Sequence, residues 1–267
     1  MITTKNLSNY LIECLEKKSQ AQLPSNTIPD FSLSDAYSIA VEIKEKREKK
    51  EEKVAGIKVG FTNKTIWDKY SVNSPIFGFM YSSTVLSDKQ PFSPERFLEP
   101  KFEPEIFFKL NKKPHSEMSD IDLISCCESF GIGVELVQSI YEGWTFELPD
   151  TVAGFGLHGQ YKILRETSIP SDTNMRLGLI DELKNFSLTL TKNNIAQEQG
   201  NSKNILGESP LMALRSYVEF CEKNSEWLIL NGVITTGTIT DAYDISKSDV
   251  FSCELDRLFE NKFVVKF

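Results

Sequence analysis

Apolar positions near the start of the chain recur at helical spacing. Leu7, Leu11, Cys14 and Leu15 share one face of a predicted helix over residues 5–18. The polar, proline-containing stretch SQAQLPSNTIPDFS follows. A second helix is predicted from Ser34, placed as its N-cap, through DAYSIAVEIKEKREKKEEK. Its end, Glu42 to Lys53, mixes both charges and reads as a solvated helix end. From residue 54 the period drops to two. VAGIKVGFT sets Ile57, Val59 and Phe61 against Gly56, Lys58, Gly60 and Thr62, the pattern of a strand.

KFEPEIFFKL reads as another strand. Ser119 is placed as the cap of a short helix, DIDLISCCESF, that stops at Gly131, with Cys126 and Cys127 as packing residues on it. IGVELVQSI is apolar on both faces and reads as a buried strand. FSLTLT alternates and turns at Asn193-Asn194. Ser209-Pro210 opens a helix with Leu211, Leu214, Val218 and Cys221 on one face, and GVITTGT and FVVKF add strands. Strands dominate after residue 54 without regular βαβ alternation. The predicted class is α+β: a mixed sheet over residues 54–267, with residues 1–53 as a helical N-terminal segment packed on it.

Composition narrows the function. The chain has 267 residues, 40% hydrophobic, with a formal net charge of −8, which argues against nucleic acid or an anionic membrane as a main partner. No apolar run reaches a membrane span. Five cysteines with no CxxC pair, behind an N-terminus too polar for a secretory signal, lead to the expectation of reduced thiols and a cytoplasmic protein. Only two histidines, His115 and His158, are present, which disfavours a histidine-rich zinc site.

The candidate chemistry starts with FEPEIFF. Side chains alternate along a strand, so Glu103 and Glu105 point the same way. Two carboxylates that close repel unless a proton, an arginine or a metal ion compensates. A third, Glu135, lies within the apolar strand GVELVQS. Three such glutamates can supply the oxygen ligands of magnesium or manganese. The alternative is an edge strand with Glu103 and Glu105 in solvent, which Pro104 would permit. Lys58 shares its strand face with Gly56, Gly60 and Thr62, where the glycines leave room for a ligand, so it is a candidate acid or base. The alternative there is a salt-bridged or snorkelling lysine. GFGLHG fits G-x-G-x-x-G literally but lacks the strand-to-helix context of a dinucleotide site. It reads as a glycine-rich loop whose His158 is either structural or within reach of a ligand.

Five stretches in this order carry a family resemblance: GIKVGFTN (56–63), SPIFGFM (74–80), KFEPEIFF (101–108), GVELVQS (133–139), and LGESPLMAL (206–214) with NGVITTGTIT (231–240). From about residue 33 to 267 the chain resembles the 2-keto-4-pentenoate hydratase and 2-oxo-3-enedioate decarboxylase branch of the fumarylacetoacetate hydrolase superfamily. The resemblance implies a twisted mixed β-sheet roll, a homo-oligomer, and Mg2+ or Mn2+ on Glu103, Glu105 and Glu135. It implies that Lys58 is the active-site lysine and that Thr238 lies near the substrate carboxylate. Gly60, Thr62, Gln138 and His158 complete the candidate substrate contacts.

The implied activity is a metal-dependent hydratase acting on a small 2-oxo or 2-hydroxy-dienoic acid through a metal-stabilised enolate. The alternatives are a 2-oxo-3-enedioate decarboxylase or a weakly active metal-bearing subunit that assembles with a partner enzyme. Hydrolysis of an acylpyruvate ranks lower, because no histidine precedes residue 115. The chain departs from the family pattern at several polar positions. It has Ile76 where an aspartate is usual, Gln138-Ser139-Ile140 where Asp-Ser-Arg is usual, and Gly154, Phe155 and Leu157 where an Asp-Asn pair and a serine are usual.

Overall fold

A computed structural model describes residues 2–64, 67–70, 72–87 and 90–267. Three helices come first: α1 (Thr4–Lys17), α2 (Pro24–Thr27) and α3 (Leu33–Glu48). Next come β1 (Val54–Gly60), α4 (Trp67–Tyr70), β2 (Ile76–Tyr81), β3 (Val85–Leu86), β4 (Lys101–Leu110), α5 (Asp120–Ile124) and β5 (Cys127–Val137). The chain continues with α6 (Leu148–Ala153), β6 (His158–Ser168), α7 (Thr173–Asn185), β7 (Ser187–Lys192), β8 (Ile195–Asn201) and α8 (Pro210–Lys223). It closes with β9 (Val233–Thr238), β10 (Tyr243–Asp244), β11 (Val250–Leu255) and β12 (Lys262–Lys266).

Local chemistry explains the boundaries. Ser32, not Ser34, caps α3: its hydroxyl accepts from Asp35 N while the Asp35 carboxylate accepts from Ser32 N. Ala36, Ile39, Ala40 and Ile43 then bury one face, which packs against α1, α6 and β2. Asn193 and Asn194 both take left-handed backbone angles, φ 54° and 65°, the requirement of the two-residue turn joining β7 and β8. Ser209 accepts from Leu211 N at the start of α8, whose buried face rests on β9.

One sheet runs β2-β1-β9-β4-β5-β6-β3, with β10 paired to the start of β4. β1/β9 and β3/β6 are parallel and the other pairs antiparallel, so this sheet is mixed. A smaller antiparallel sheet runs β12-β11-β7-β8. Phe102 of β4 stacks on Phe251 of β11 at 4.2 Å between ring centres, joining the two sheets through the core.

Two sequence expectations change. The helix expected over 120–130 ends at Ile124, and residues from Cys127 pair with β4, Leu110 opposite Cys127 and Lys109 opposite Ser129. Burial on both faces hides the strand period there. The edge-strand alternative for KFEPEIFFKL is excluded, because β4 lies between β9 and β5. Pro104 is tolerated at this interior position because the β9 ladder is irregular between Glu105 and Phe107, and the Pro104 carbonyl accepts from Ile239 N beyond the end of β9.

Candidate metal centre

Strand register assembles the cluster. Glu103 of β4 stands directly opposite Glu135 of β5. Glu105, two residues on and on the same face, faces Gly133 on β5 and Thr238 on β9. One carboxylate oxygen from each glutamate lies within 4.8 Å of the others. Lys58 reaches in from β1, its Nζ 3.2 Å from Glu135 Oε2. Glu105, Glu135 and Lys58 are buried, and Glu103 is half-buried.

Backbone geometry holds the rim. Gly237 has φ +85°, and a Cβ there would fall 1.8 Å from Thr62 Oγ1, so only glycine fits. Its N–H donates to Glu105 Oε2 at 3.2 Å. Thr62 donates to the Thr236 carbonyl, and Thr238 to that of Thr240. Glu135 Oε1 lies 2.7 Å from His158 Nδ1.

Charge is out of balance here. Burial, and next the fields of Glu135 and Glu103, push the Glu105 carboxyl well above its ordinary range. Burial pushes Glu103 up to about 7. Burial also opposes charge on Glu135, but Lys58 and His158 outweigh it and hold that carboxyl low. Burial works against the Lys58 ammonium, yet the combined charge of Glu135, Glu103 and Glu105 keeps its pKa raised. Glu105 Oε1 is buried with no hydrogen-bond partner. Glu135 Oε2 faces Lys58 without an aligned hydrogen bond. Three carboxylates beside one lysine, with orphaned oxygens turned inward, fit a hard divalent cation.

The cavity beside the cluster is lined by Lys58, Gly60, Thr62, Glu103, Glu105 and Thr238. Its far wall is mostly apolar: Phe61, Ile76, Val137, Trp144, Phe146 and Leu157, with Tyr70 and Asp241 at hand. Two of the positions that depart from the family pattern, Ile76 and Leu157, thus face this space. Gln138 and His158 do not line it. They lie behind Glu135 on a separate cleft with Arg47, Tyr81 and Thr84. His158 is the first residue of β6 rather than part of a loop. Trp144, Phe146, Asp241 and Gly237 carried no signal that singled them out in the sequence; loop paths bring the first three to the cavity.

Known proteins share this arrangement of chain. The sequence is 26% identical over 227 residues to 4-oxalocrotonate decarboxylase of Pseudomonas sp. (strain CF600), covering 84% of this chain and 82% of that one. It is 24% identical over 232 residues to 2-keto-4-pentenoate hydratase of Paraburkholderia xenovorans (strain LB400), covering 86% and 83%. The sequence is thus similar to decarboxylases and hydratases of the branch of the fumarylacetoacetate hydrolase superfamily that the motifs resemble. Its α+β roll is the fold of that superfamily. The structure of 4-oxalocrotonate decarboxylase from Pseudomonas putida G7, complexed with magnesium and adipate, superposes with TM-score 0.87 at 22% identity, covering 100% of this chain and 99% of that one. Fumarylpyruvate hydrolase from Pseudomonas aeruginosa, in complex with Mn2+ and pyruvate, matches at TM-score 0.54 and 10% identity over 79% of this chain and 88% of that one. No protein-family model matches this chain. Among the described residues, no helix is long and apolar enough to cross a membrane.

Proposed function

We propose that the protein is a divalent-metal-dependent lyase acting on a small 2-oxo or 2-hydroxy-dienoic acid, with hydration as the first reading. The observation that carries this is the cluster of Glu103, Glu105, Glu135 and Lys58, of which Glu103, Glu105 and Lys58 line one cavity. Glu103, Glu105 and Glu135 would hold Mg2+ or Mn2+. When bound, such an ion supplies a Lewis acid that stabilises the enolate of a 2-oxo acid. The residues do the rest. Gly237 N–H and His158 fix two of the carboxylates. Lys58, at the cavity wall, delivers and recovers the proton during ketonisation. Thr62 and Thr238 border the space a substrate carboxylate would fill.

A second reading, decarboxylation of a 2-oxo-enedioate, draws support from the far wall. Hydration needs polar groups to hold water at the distal alkene, whereas loss of carbon dioxide needs only the same electron sink. Phe61, Ile76, Val137, Phe146 and Leu157 offer no such groups, leaving Asn63, Tyr70 and Asp241 as the polar candidates beyond the threonines.

The test uses purified protein with Mn2+ or with chelator. Loss of dienoate absorbance supports hydration, and carbon dioxide release from an enedioate supports decarboxylation. A folded, metal-loaded protein that converts neither class overturns the enzyme reading. Homo-oligomeric assembly, expected from the resemblance, is read by light scattering on the same sample.

A further inference from the structure

We infer that His158 is a positioning residue that fixes the Glu135 carboxylate by a hydrogen bond from behind, with Thr84 holding the other side of the ring. The inference rests on the metal reading above. His158 Nδ1 lies 2.7 Å from Glu135 Oε1, and Nε2 lies 2.9 Å from Thr84 Oγ1. An ionised carboxylate only accepts, so the nitrogen facing it carries the proton. The other nitrogen then accepts from the Thr84 hydroxyl at 2.9 Å, in competition with the Tyr81 carbonyl at 3.1 Å. Both nitrogens are committed, which leaves neither to bind a metal or a substrate.

His158 and its partner Thr84 are themselves held in place. Gln138 Nε2 donates to the His158 carbonyl at 3.0 Å. Thr84 sits in the connection between β2 and β3, where its hydroxyl accepts from Tyr81 N and its carbonyl accepts from Tyr161 N. The line Thr84–His158–Glu135 thus runs from the second cleft to the cluster and turns Glu135 Oε2 toward Lys58. Without the imidazole, Glu135 Oε1 would be a buried oxygen lacking its donor, and the carboxylate would be free to rotate away from the cluster.

The experiment measures Mn2+ affinity by calorimetry and the spectrum of bound Mn2+ by electron paramagnetic resonance. Variants are His158→Asn, His158→Gln, His158→Leu and Thr84→Val. Asparagine places an amide near the Nδ1 position and glutamine near Nε2. His158→Leu and His158→Gln should bind Mn2+ roughly 10- to 100-fold more weakly, with an altered spectrum, while His158→Asn recovers most of the affinity. Thr84→Val should lose less than His158→Leu. Wild-type affinity in His158→Leu overturns the inference, as does a His158→Asn variant, shown folded by thermal unfolding, that binds no better than His158→Leu. A wild-type protein that binds no Mn2+ overturns the metal reading, and the inference falls with it.

Discussion

Lys58 is the residue whose role is most sharply testable. Arginine keeps the positive charge beside Glu135 but stays protonated at any working pH. If Lys58 transfers protons, Lys58→Arg should lower turnover roughly 10²- to 10⁴-fold with Mn2+ still bound, read on any substrate the wild type accepts. Near-normal turnover would leave Lys58 as a counter-charge only. Glu103 gives a pH test. Its carboxyl titrates at about 7 in the folded, metal-free protein against an ordinary 4.5, so the folded chain binds the proton more tightly than the unfolded chain. Its contribution to stability is full below pH 4.5 and is lost as pH rises towards 7. Comparing the metal-free wild type with Glu103→Gln, the wild type should lose stability relative to the variant across that window. A parallel pair of denaturation curves from pH 4.5 to 7 would refute the assignment.

At the level of elements, Phe102 and Glu103 show how one strand serves two purposes. Glu103 points to the cluster, while Phe102 turns to the opposite face and stacks on Phe251 of the smaller sheet. Phe102→Ala should cost about 3–5 kcal/mol in urea denaturation, since the cavity lies between two sheets that cannot both close on it. The β7–β8 turn separates two asparagines of like backbone. Asn193 bonds with Asp249 and Val250 through its side chain. Asn194→Gly should therefore be neutral or mildly stabilising, whereas Asn193→Gly should destabilise by about 1–2 kcal/mol. The same contrast explains what could be read in advance. The shared face of Glu103 and Glu105 was visible because it follows from alternation alone. α7 is not legible in the sequence: it buries only Leu179, Ile180 and Leu183 and leaves Met175 and Leu177 exposed, so its apolar period is blurred. Trp144, Phe146 and Asp241 reach the cavity along loops, and no local pattern encodes where a loop ends. His158 stands out in the sequence as a residue but not as the partner of Glu135, because that pairing depends on the register of β5 with β6.

For the whole molecule, a cation held at the proposed site would couple to folding. A ligand that binds only the folded chain stabilises it by about 2.7 kcal/mol at a hundredfold excess over its Kd. Mn2+ should then raise the midpoint of thermal unfolding by roughly 5–10 °C over the chelated protein, and the Glu105→Ala variant should lose most of that rise. A chelator-insensitive midpoint would count against the site. The position of β9 carries the argument further. It lies between β1 and β4, parallel to the first and antiparallel to the second, yet it comes from residues 233–238. Glu103, Glu105 and Glu135 can meet early, on the local pairing of β4 with β5, but Lys58 is brought beside them only when a segment from far along the chain slots into the middle of the sheet. During synthesis the strands on either side of that gap emerge first, with unpaired backbone edges, and wait for it. The half-made cluster would thus carry its carboxylates before its lysine, and the long loop closure that unites them makes this a slow event in folding.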